Sequence, residues 1–392
     1  MRPLEGITVV SLEHAVAAPF CTRQLADYGA RVIKVERPAA GDFARGYDRA
    51  VKGLASYFVW LNRGKESLTL DLKREAAREV LHKLLARADV LVQNLAPGAA
   101  GRLGFGAEAL LERHPGLVVA DVSGYGDGGL YRDKKAYDLL IQAESGLLSV
   151  SGTPEAPSRA GVSIADIAAG MYAYTGVLTA LFRRARTGRG GRVEISMLEA
   201  LGEWVSQPMY YGAYGGKAPP RSGASHPTIA PYGPHRAGDG REVLFGLQNE
   251  REWPVFCAQV LGRPELSADE RFSSNTARVA HRAELTRIVE EAFAGMSAEA
   301  VVARLEEAGI ANGRLRGAAE LAEHPQLEAR GRWRTVQTSA GPVRALLPPA
   351  NLDGPEPVMG DVPALGQHTE AVLDWLGYAE GDIQALRAAG AI

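Results

Sequence analysis

The feature that most constrains this chain is an alternation running through its first half. Short runs rich in β-branched residues, ITVVSL, RVIKVE, SLTLDL, VLVQNL and LVVADVS, are separated by stretches with helical spacing such as APFCTRQLADYG and REAAREVLHKLLARA. Strands joined through helices of that length pair in parallel by right-handed crossovers. The pattern therefore predicts an α/β fold built on a doubly wound parallel sheet. A helix opening at Asp166 and reaching about Arg186 comes next, and TGRGGRVEISMLEAL then supplies a glycine stop, a further strand and a further helix.

Periodicity fails at residues 212–227, GAYGGKAPPRSGASHP, where glycine, proline and serine read as a linker. The organisation expected is a large domain whose first part is 1–211, that linker, and a smaller α+β domain over 228–333. The smaller domain draws on a strand, EVLFGLQ, and on helices over EWPVFCAQVLG, RAELTRIVEEAFAGM and SAEAVVARLEEAGI. Residues 334–392, with TEAVLDWLGY and GDIQALRAAGAI, read as a return segment whose helices pack on the large domain.

Composition narrows the function classes. A formal charge of −2, with 46% hydrophobic and 23% charged residues, suits a soluble globular protein and gives no basic tract for a nucleic acid. Cys21 and Cys257 lie far apart with no metal-ligand spacing around them, and the eight histidines form no cluster, so no metal is expected. The N-terminus lacks a secretory pattern and no apolar run is read as membrane-spanning, which places the protein in the cytoplasm without a membrane partner. GYGDGG, residues 124–129, fits the letters of a dinucleotide fingerprint. It sits several strands too late and leads into the polar loop LYRDKK instead of a helix, so it reads as a glycine turn, and neither nicotinamide nor flavin is expected.

Asp166, in GVSIADIAAGMYAYTG, is the carboxylate that invites a question, because the helix it opens is otherwise small and apolar. An aspartate there can cap free amide groups of the first turn. The same place also suits an ionised nucleophile, since the helix N-terminus favours negative charge and small residues let a ligand or second chain come close.

Several long stretches now carry a resemblance. LEGITVVSLEHAVAAPFCTRQLADYGARVIKVERPAAGDFAR, LNRGKESLTLDLK, DVLVQNLAPGAAGRLGF, AYDLLIQAESGL, TGRGGRVEISMLEAL, PYGPHRAGDG, HPQLEARGRW and PALGQHTEAVLDWLG resemble the family III CoA transferases, a group that includes formyl-CoA transferase and alpha-methylacyl-CoA racemase. The likeness covers essentially the whole chain. It implies a Rossmann-like large domain, an interlocked homodimer, coenzyme A as cosubstrate, and acyl-CoA and small carboxylic acids as partners. In transferases of this type the nucleophile is an aspartate in a segment similar to GVSIADIAAG, which implies Asp166. The carboxylate attacks a thioester to give a mixed anhydride, and CoA then returns to form an aspartyl-CoA thioester.

The resemblance also implies contacts to CoA. Arg37, Lys73, Arg102 and Lys135 fall where cations would meet its phosphates, while Ala15, Val16, Ala17, Leu70, Asn94, Leu95 and Leu103 line adenine or pantetheine. Tyr137 and Asp138 are expected to line the same CoA site; they stand where the racemase branch has a histidine followed by aspartate, and a tyrosine, with a reference pKa of about 10, is a poor base near neutrality. A transferase is thus expected over an α-carbon epimerase or a non-catalytic CoA-binding protein. Val16 replaces the catalytic glutamine of formyl-CoA transferase, and ASHPTIAPYG replaces its tetraglycine flap, which points away from formate and oxalate. His14, Tyr57, His226, Thr228 and Tyr232 are expected to meet a larger acid of the dicarboxylate class, such as succinate.

Overall fold

The computed structural model describes residues 1–392. Six parallel strands, β1 (Thr8–Leu12), β2 (Arg31–Glu36), β3 (Lys65–Thr69), β4 (Val90–Gln93), β5 (Val118–Ser123) and β6 (Gly191–Ser196), lie in the order β3-β2-β1-β4-β5-β6. Valine and isoleucine fill the central strands, and Val9, Val10, Ile33, Leu91, Val92 and Val119 are closed to solvent from both faces. The order reverses between β1 and β4, and ligands of open α/β sheets bind beyond the carboxyl ends of strands at such a switch.

β3 begins at Lys65, earlier than the run SLTLDL suggests, because its register with β2 pairs Lys65 with Val32. Polar residues there hid the strand from a hydrophobic pattern. Helices α1 (Ala17–Asp27), α2 (Glu75–Leu85), α3 (Asp138–Glu144), α4 (Ile164–Thr187) and α5 (Met197–Trp204) accompany the sheet. α4 ends at Gly188, whose φ of 72° gives the left-handed stop expected of a glycine. At 24 residues α4 is long and apolar enough to cross a membrane, which corrects the sequence reading; one face packs on α1 and the sheet, and the other is exposed.

The chain forms two compact units. The first comprises 1–146, 160–206 and 327–392, and the second 147–159 and 207–326. A helix over Ser206–Gly215 occupies the start of the stretch read as linker. In the second unit β7 (Tyr232–Arg236), β8 (Glu242–Gly246) and β9 (Asn312–Arg314) form an antiparallel sheet. Helices α6 (Asn275–Ala280), α7 (Arg282–Phe293) and α8 (Ala298–Glu307) belong to that unit, and its core holds Phe245, Trp253, Phe256, Phe272 and Phe293. The tail returns to the first unit as a two-stranded ribbon, β10 (Trp333–Val336) and β11 (Val343–Leu346), and helices α9 (Thr369–Trp375) and α10 (Glu380–Ala388). Val372, Leu373, Leu376, Ile383 and Leu386 there share one core with Leu68, Val80 and Leu84.

Candidate active site

Two aspartates organise the start of α4. Its N-cap residue, Ser163, makes no side-chain bond to the free amides of the first turn. Asp138, at the start of α3, supplies that function instead: its Oδ1 accepts from the N–H of Ala165 at 2.8 Å and of Asp166 at 3.4 Å. Asp138 is itself oriented by Gln142, whose Nε2 donates to Oδ2 at 2.7 Å while its Oε1 accepts from the Ala160 N–H. Asp166 is therefore the third residue of α4 and not its cap, which corrects the capping alternative. No donor of the chain reaches its carboxylate. Burial, followed by the like charge of Asp138, pushes its pKa up to about 7, outweighing the pull of the helix N-terminus. Such a carboxylate is poorly solvated and unusually basic, both of which favour nucleophilic attack.

The β1–α1 loop lies against the same helix. A Cβ on Gly170, one turn beyond Asp166, would stand 2.6 Å from the Ala17 carbonyl oxygen and 2.9 Å from Phe20 Cβ, so glycine is what lets α1 start this close to α4. Ala15 adopts φ 61°, a left-handed conformation costly for alanine, and Val16, Ala17 and Ala18 follow buried. Asn94 closes the loop from the switch-point side: its Oδ1 accepts from the His14 N–H and its Nδ2 donates to the His14 carbonyl, both at 2.9 Å.

Beneath that loop lies a cluster of four charges, Glu13, Lys34, Asp42 and Lys65, each no more than 3% exposed. Lys34 Nζ donates to Asp42 Oδ2 at 2.7 Å and to Glu13 Oε1 at 3.4 Å, and Lys65 Nζ reaches Glu13 Oε1 at 2.7 Å. Burial alone would neutralise these groups. The opposite charges outweigh it at three of them, holding Glu13 and Asp42 below the usual carboxylate range and Lys34 above the usual lysine value, whereas at Lys65 burial wins and brings the pKa down to about 8. Burial keeps His14 neutral despite Asp42, whose Oδ1 lies 3.9 Å from its Nδ1.

An aromatic row leads outward from His14. His14 stacks on Phe43 with centroids 5.2 Å apart, Phe43 meets Tyr47 at 5.7 Å, and Tyr47 meets Tyr57 at 5.6 Å. Burial, then the charges of Asp42 and Asp166 and the nearby Tyr57 and Tyr137, push the Tyr47 hydroxyl up to about 12. Tyr47 thus links Phe43, and through it His14, to Tyr57.

Every expected phosphate-binding cation lies after a sheet strand. Arg37 follows β2, Lys73 follows β3, Arg102 follows β4 and Lys135 follows β5. All four are exposed and none is engaged in an ion pair. Leu70, Asn94, Leu95 and Leu103 occupy the same strand ends, with Leu70 buried and the other three half-buried.

His226, Thr228 and Tyr232 lie in the second unit. There the loop before β7 is clamped along consecutive carbonyls. Arg282 Nη2 donates to those of His226 and Ile229 at 2.7 and 3.1 Å, Asn275 Nδ2 to that of Thr228 at 2.9 Å, and Arg278 Nε to that of Ala230 at 2.8 Å. His226 stacks on Tyr232, and its Nδ1 accepts from the Thr228 N–H.

A sequence model described as "CoA-transferase family III" matches residues 4–369. The chain belongs to this family. This CoA-transferase is 36% identical over 330 residues to the acetyl-CoA:oxalate CoA-transferase of Acetobacter aceti, with 84% of each chain covered. It is 33% identical over 392 residues to the succinyl-CoA–D-citramalate CoA-transferase of Chloroflexus aurantiacus, covering 99% of this chain and 97% of that one. A crystal structure of a CaiB/BaiF family protein from Brucella suis superposes with a TM-score of 0.86 at 33% identity, covering 96% and 99% of the two chains.

CoA-transferases use CoA thioesters as cosubstrates, and exposed cations outside any ion pair follow four strands of the sheet, which is chemistry that suits the phosphates of such a molecule. Of the residues singled out in the sequence, Asp166 and Asp138 meet at the start of α4, and His14 and Tyr57 lie at the two ends of the aromatic row. Tyr47 and Asp42, which the sequence did not single out, join them through the structure. A run of aromatics at 43, 47, 57 and 60 was the available signal for the first; the second stood in the motif GDFAR with no pattern to separate it from a turn aspartate.

Proposed function

We propose that this enzyme moves CoA from an acyl-CoA donor to a carboxylic acid through covalent intermediates on Asp166. The observation that carries the reading is the Asp166 carboxylate itself, half-buried, free of hydrogen bonds and held at a pKa near 7. Asp166 attacks the thioester carbonyl carbon; the C–S bond breaks, CoA leaves as thiolate, and Asp166 becomes half of a mixed anhydride. The thiolate then attacks the aspartyl carbonyl and the donor acid departs as carboxylate, leaving Asp166 as a CoA thioester. An incoming carboxylate attacks that thioester, and the same two exchanges in reverse release the new acyl-CoA and restore Asp166. No step needs water, so desolvation around Asp166 protects both intermediates from hydrolysis.

For the CoA, Arg37, Lys73, Arg102 and Lys135 are assigned to the phosphates, and Ala15, Val16, Ala17, Leu70, Asn94, Leu95 and Leu103 to adenine and pantetheine. Tyr137 and Asp138 are assigned with them to the CoA site; His14 and Tyr57 are assigned to the substrate acid, and His226, Thr228 and Tyr232 are candidates for meeting a larger acid. A dicarboxylic acid is the favoured acceptor class, supported by the names of the Acetobacter and Chloroflexus relatives. Because one of those names carries oxalate, oxalate belongs in the acceptor panel although Val16 stands in place of a glutamine.

The active assembly in this reading is an interlocked homodimer. Its support is the exposed apolar surface of the first unit, with Leu139, Leu140, Met171, Tyr172, Phe182 and Trp204 between 37% and 67% exposed. Cytoplasmic placement is supported by Cys21 and Cys257, both free thiols. The reading is tested by incubating the enzyme with succinyl-CoA or acetyl-CoA and a panel of mono- and dicarboxylates, following new acyl-CoA by chromatography. Exchange lost in Asp166→Ala supports it. Exchange that survives the substitution, or deuterium entry at the α-carbon with no acceptor needed, refutes it.

A further inference from the structure

The β1–α1 loop next to Asp166 keeps an unfavourable shape, and one buried side chain holds it there. Ala15 sits at φ 61°, a left-handed conformation that an alanine adopts only under strain. Its N–H donates to Asp42 Oδ1 at 3.2 Å, and the same oxygen accepts from the Ala44 N–H at 2.9 Å. The other oxygen, Oδ2, is fixed by Lys34 Nζ at 2.7 Å. Lys34 and Lys65 share Glu13, and Lys65 also donates to the Pro19 carbonyl of α1 at 3.2 Å and to Asn62 Oδ1 at 3.0 Å. The left-handed turn at Ala15, the start of α1 and the beginning of the aromatic row at Phe43 are therefore tied to one ionic cluster.

We propose that Asp42 is a positioning residue for CoA transfer, acting through the Ala15 amide. It holds the His14–Ala17 loop in its left-handed turn against the helix that carries Asp166. The proposal rests on Asp166 being the nucleophile. Two consequences separate it from a purely structural role for a buried carboxylate. Loosening the clamp should slow acyl transfer to Asp166 more than it lowers stability, because the loop abuts the first turns of α4 at Gly170. The loss should also be repaired by removing the strain that the clamp opposes, since glycine adopts φ 61° freely.

The experiment compares Asp42→Asn with the double variant Asp42→Asn/Ala15→Gly. Aspartyl-CoA formation is followed in a single turnover with acyl-CoA by rapid quench and mass spectrometry, alongside thermal melts. The amide keeps one oxygen for the Ala15 and Ala44 N–H groups but turns a neutral group toward Lys34. A roughly 10- to 100-fold slower single turnover is expected, as for other positioning contacts, with recovery of tenfold or more in the double variant. Should Asp42→Asn fail to fold because Lys34 is left unpaired, Lys34→Met/Asp42→Asn with and without Ala15→Gly gives the same comparison with both charges removed. A wild-type single-turnover rate in the folded Asp42 variant overturns the proposal. A slow rate that Ala15→Gly does not improve overturns it equally. Absence of the aspartyl-CoA adduct in the unmodified enzyme is a different result and refutes the Asp166 reading.

Discussion

Asp138 caps the helix that carries Asp166: one oxygen of Asp138 receives the N–H groups of Ala165 and Asp166, and the charge so placed makes the Asp166 carboxyl harder to ionise. The free enzyme should therefore lose kcat/KM as pH falls below about 7, since only the ionised carboxylate attacks. Asp138→Asn keeps an oxygen for the two amides and removes the like charge. Its acidic limb should move to lower pH, while a limb unmoved from the wild-type position would separate Asp138 from the titration of Asp166.

A nucleophile held near pKa 7 by burial is a burden to the fold. The folded state favours the protonated form, so stability is fully present below the unfolded pKa near 4 and is lost as pH rises through about 7. Asp166→Asn should be inactive yet more stable than the wild type at pH 8, by about 2 kcal/mol after allowing for solvent screening. At pH 4 the two should melt together. Urea denaturation at both pH values checks this, and a variant no more stable at pH 8 would count against the burial of the carboxylate.

Gly170 is where a single methyl group should be felt at the site. Its Cβ would meet the Ala17 carbonyl oxygen at 2.6 Å, backbone that cannot swing aside. Gly170→Ala should cost about 1–3 kcal/mol as an overpacked contact and should lower kcat by displacing α1 from α4. Thermal melts and steady-state rates measure both. Full activity would show that the spacing of these helices does not matter to catalysis.

In the second unit, burial holds His235 neutral, with its pKa down at about 4 and its ring stacked 4.7 Å from Phe245. The unfolded chain takes up a proton near pH 6.5 that the folded one refuses, so stability present above that value is lost as pH falls toward 4. The loss should approach about 3 kcal/mol at pH 4. His235→Phe keeps a ring against Phe245 and should flatten this slope in denaturation curves taken between pH 7 and 4.5; an unchanged slope would assign acid lability elsewhere.

The sheet was legible because burial on both faces demands uninterrupted runs such as VLV and LVVADV, and a single sequence displays such runs directly. β3 shows the limit. Its Lys65 and Ser67 are polar, and they are buried on this edge strand because Glu13 and Glu36 lie close enough in the fold to satisfy them. Asp166 could be singled out as the one carboxylate in a largely apolar helix, but its third-position place beside a capping carboxylate depends on Asp138, 28 residues away in sequence. The same holds for Asp42, whose partners Ala15 and Lys34 come together only once β1 and β2 are paired. Contacts made across the sheet leave no periodic trace along the chain, which is why the scaffold was readable and the support beneath the loop was not.

The most direct test of the central claim is intact-protein and peptide mass spectrometry after brief exposure to acyl-CoA in the absence of an acceptor acid. The expected result is a CoA adduct confined to the peptide containing Asp166, converted by hydroxylamine to the hydroxamate and by borohydride to the alcohol at that residue, and discharged when a carboxylic acid is added. An enzyme that exchanges CoA between acids while its Asp166 peptide stays unmodified, or that carries the adduct on another residue, would contradict it.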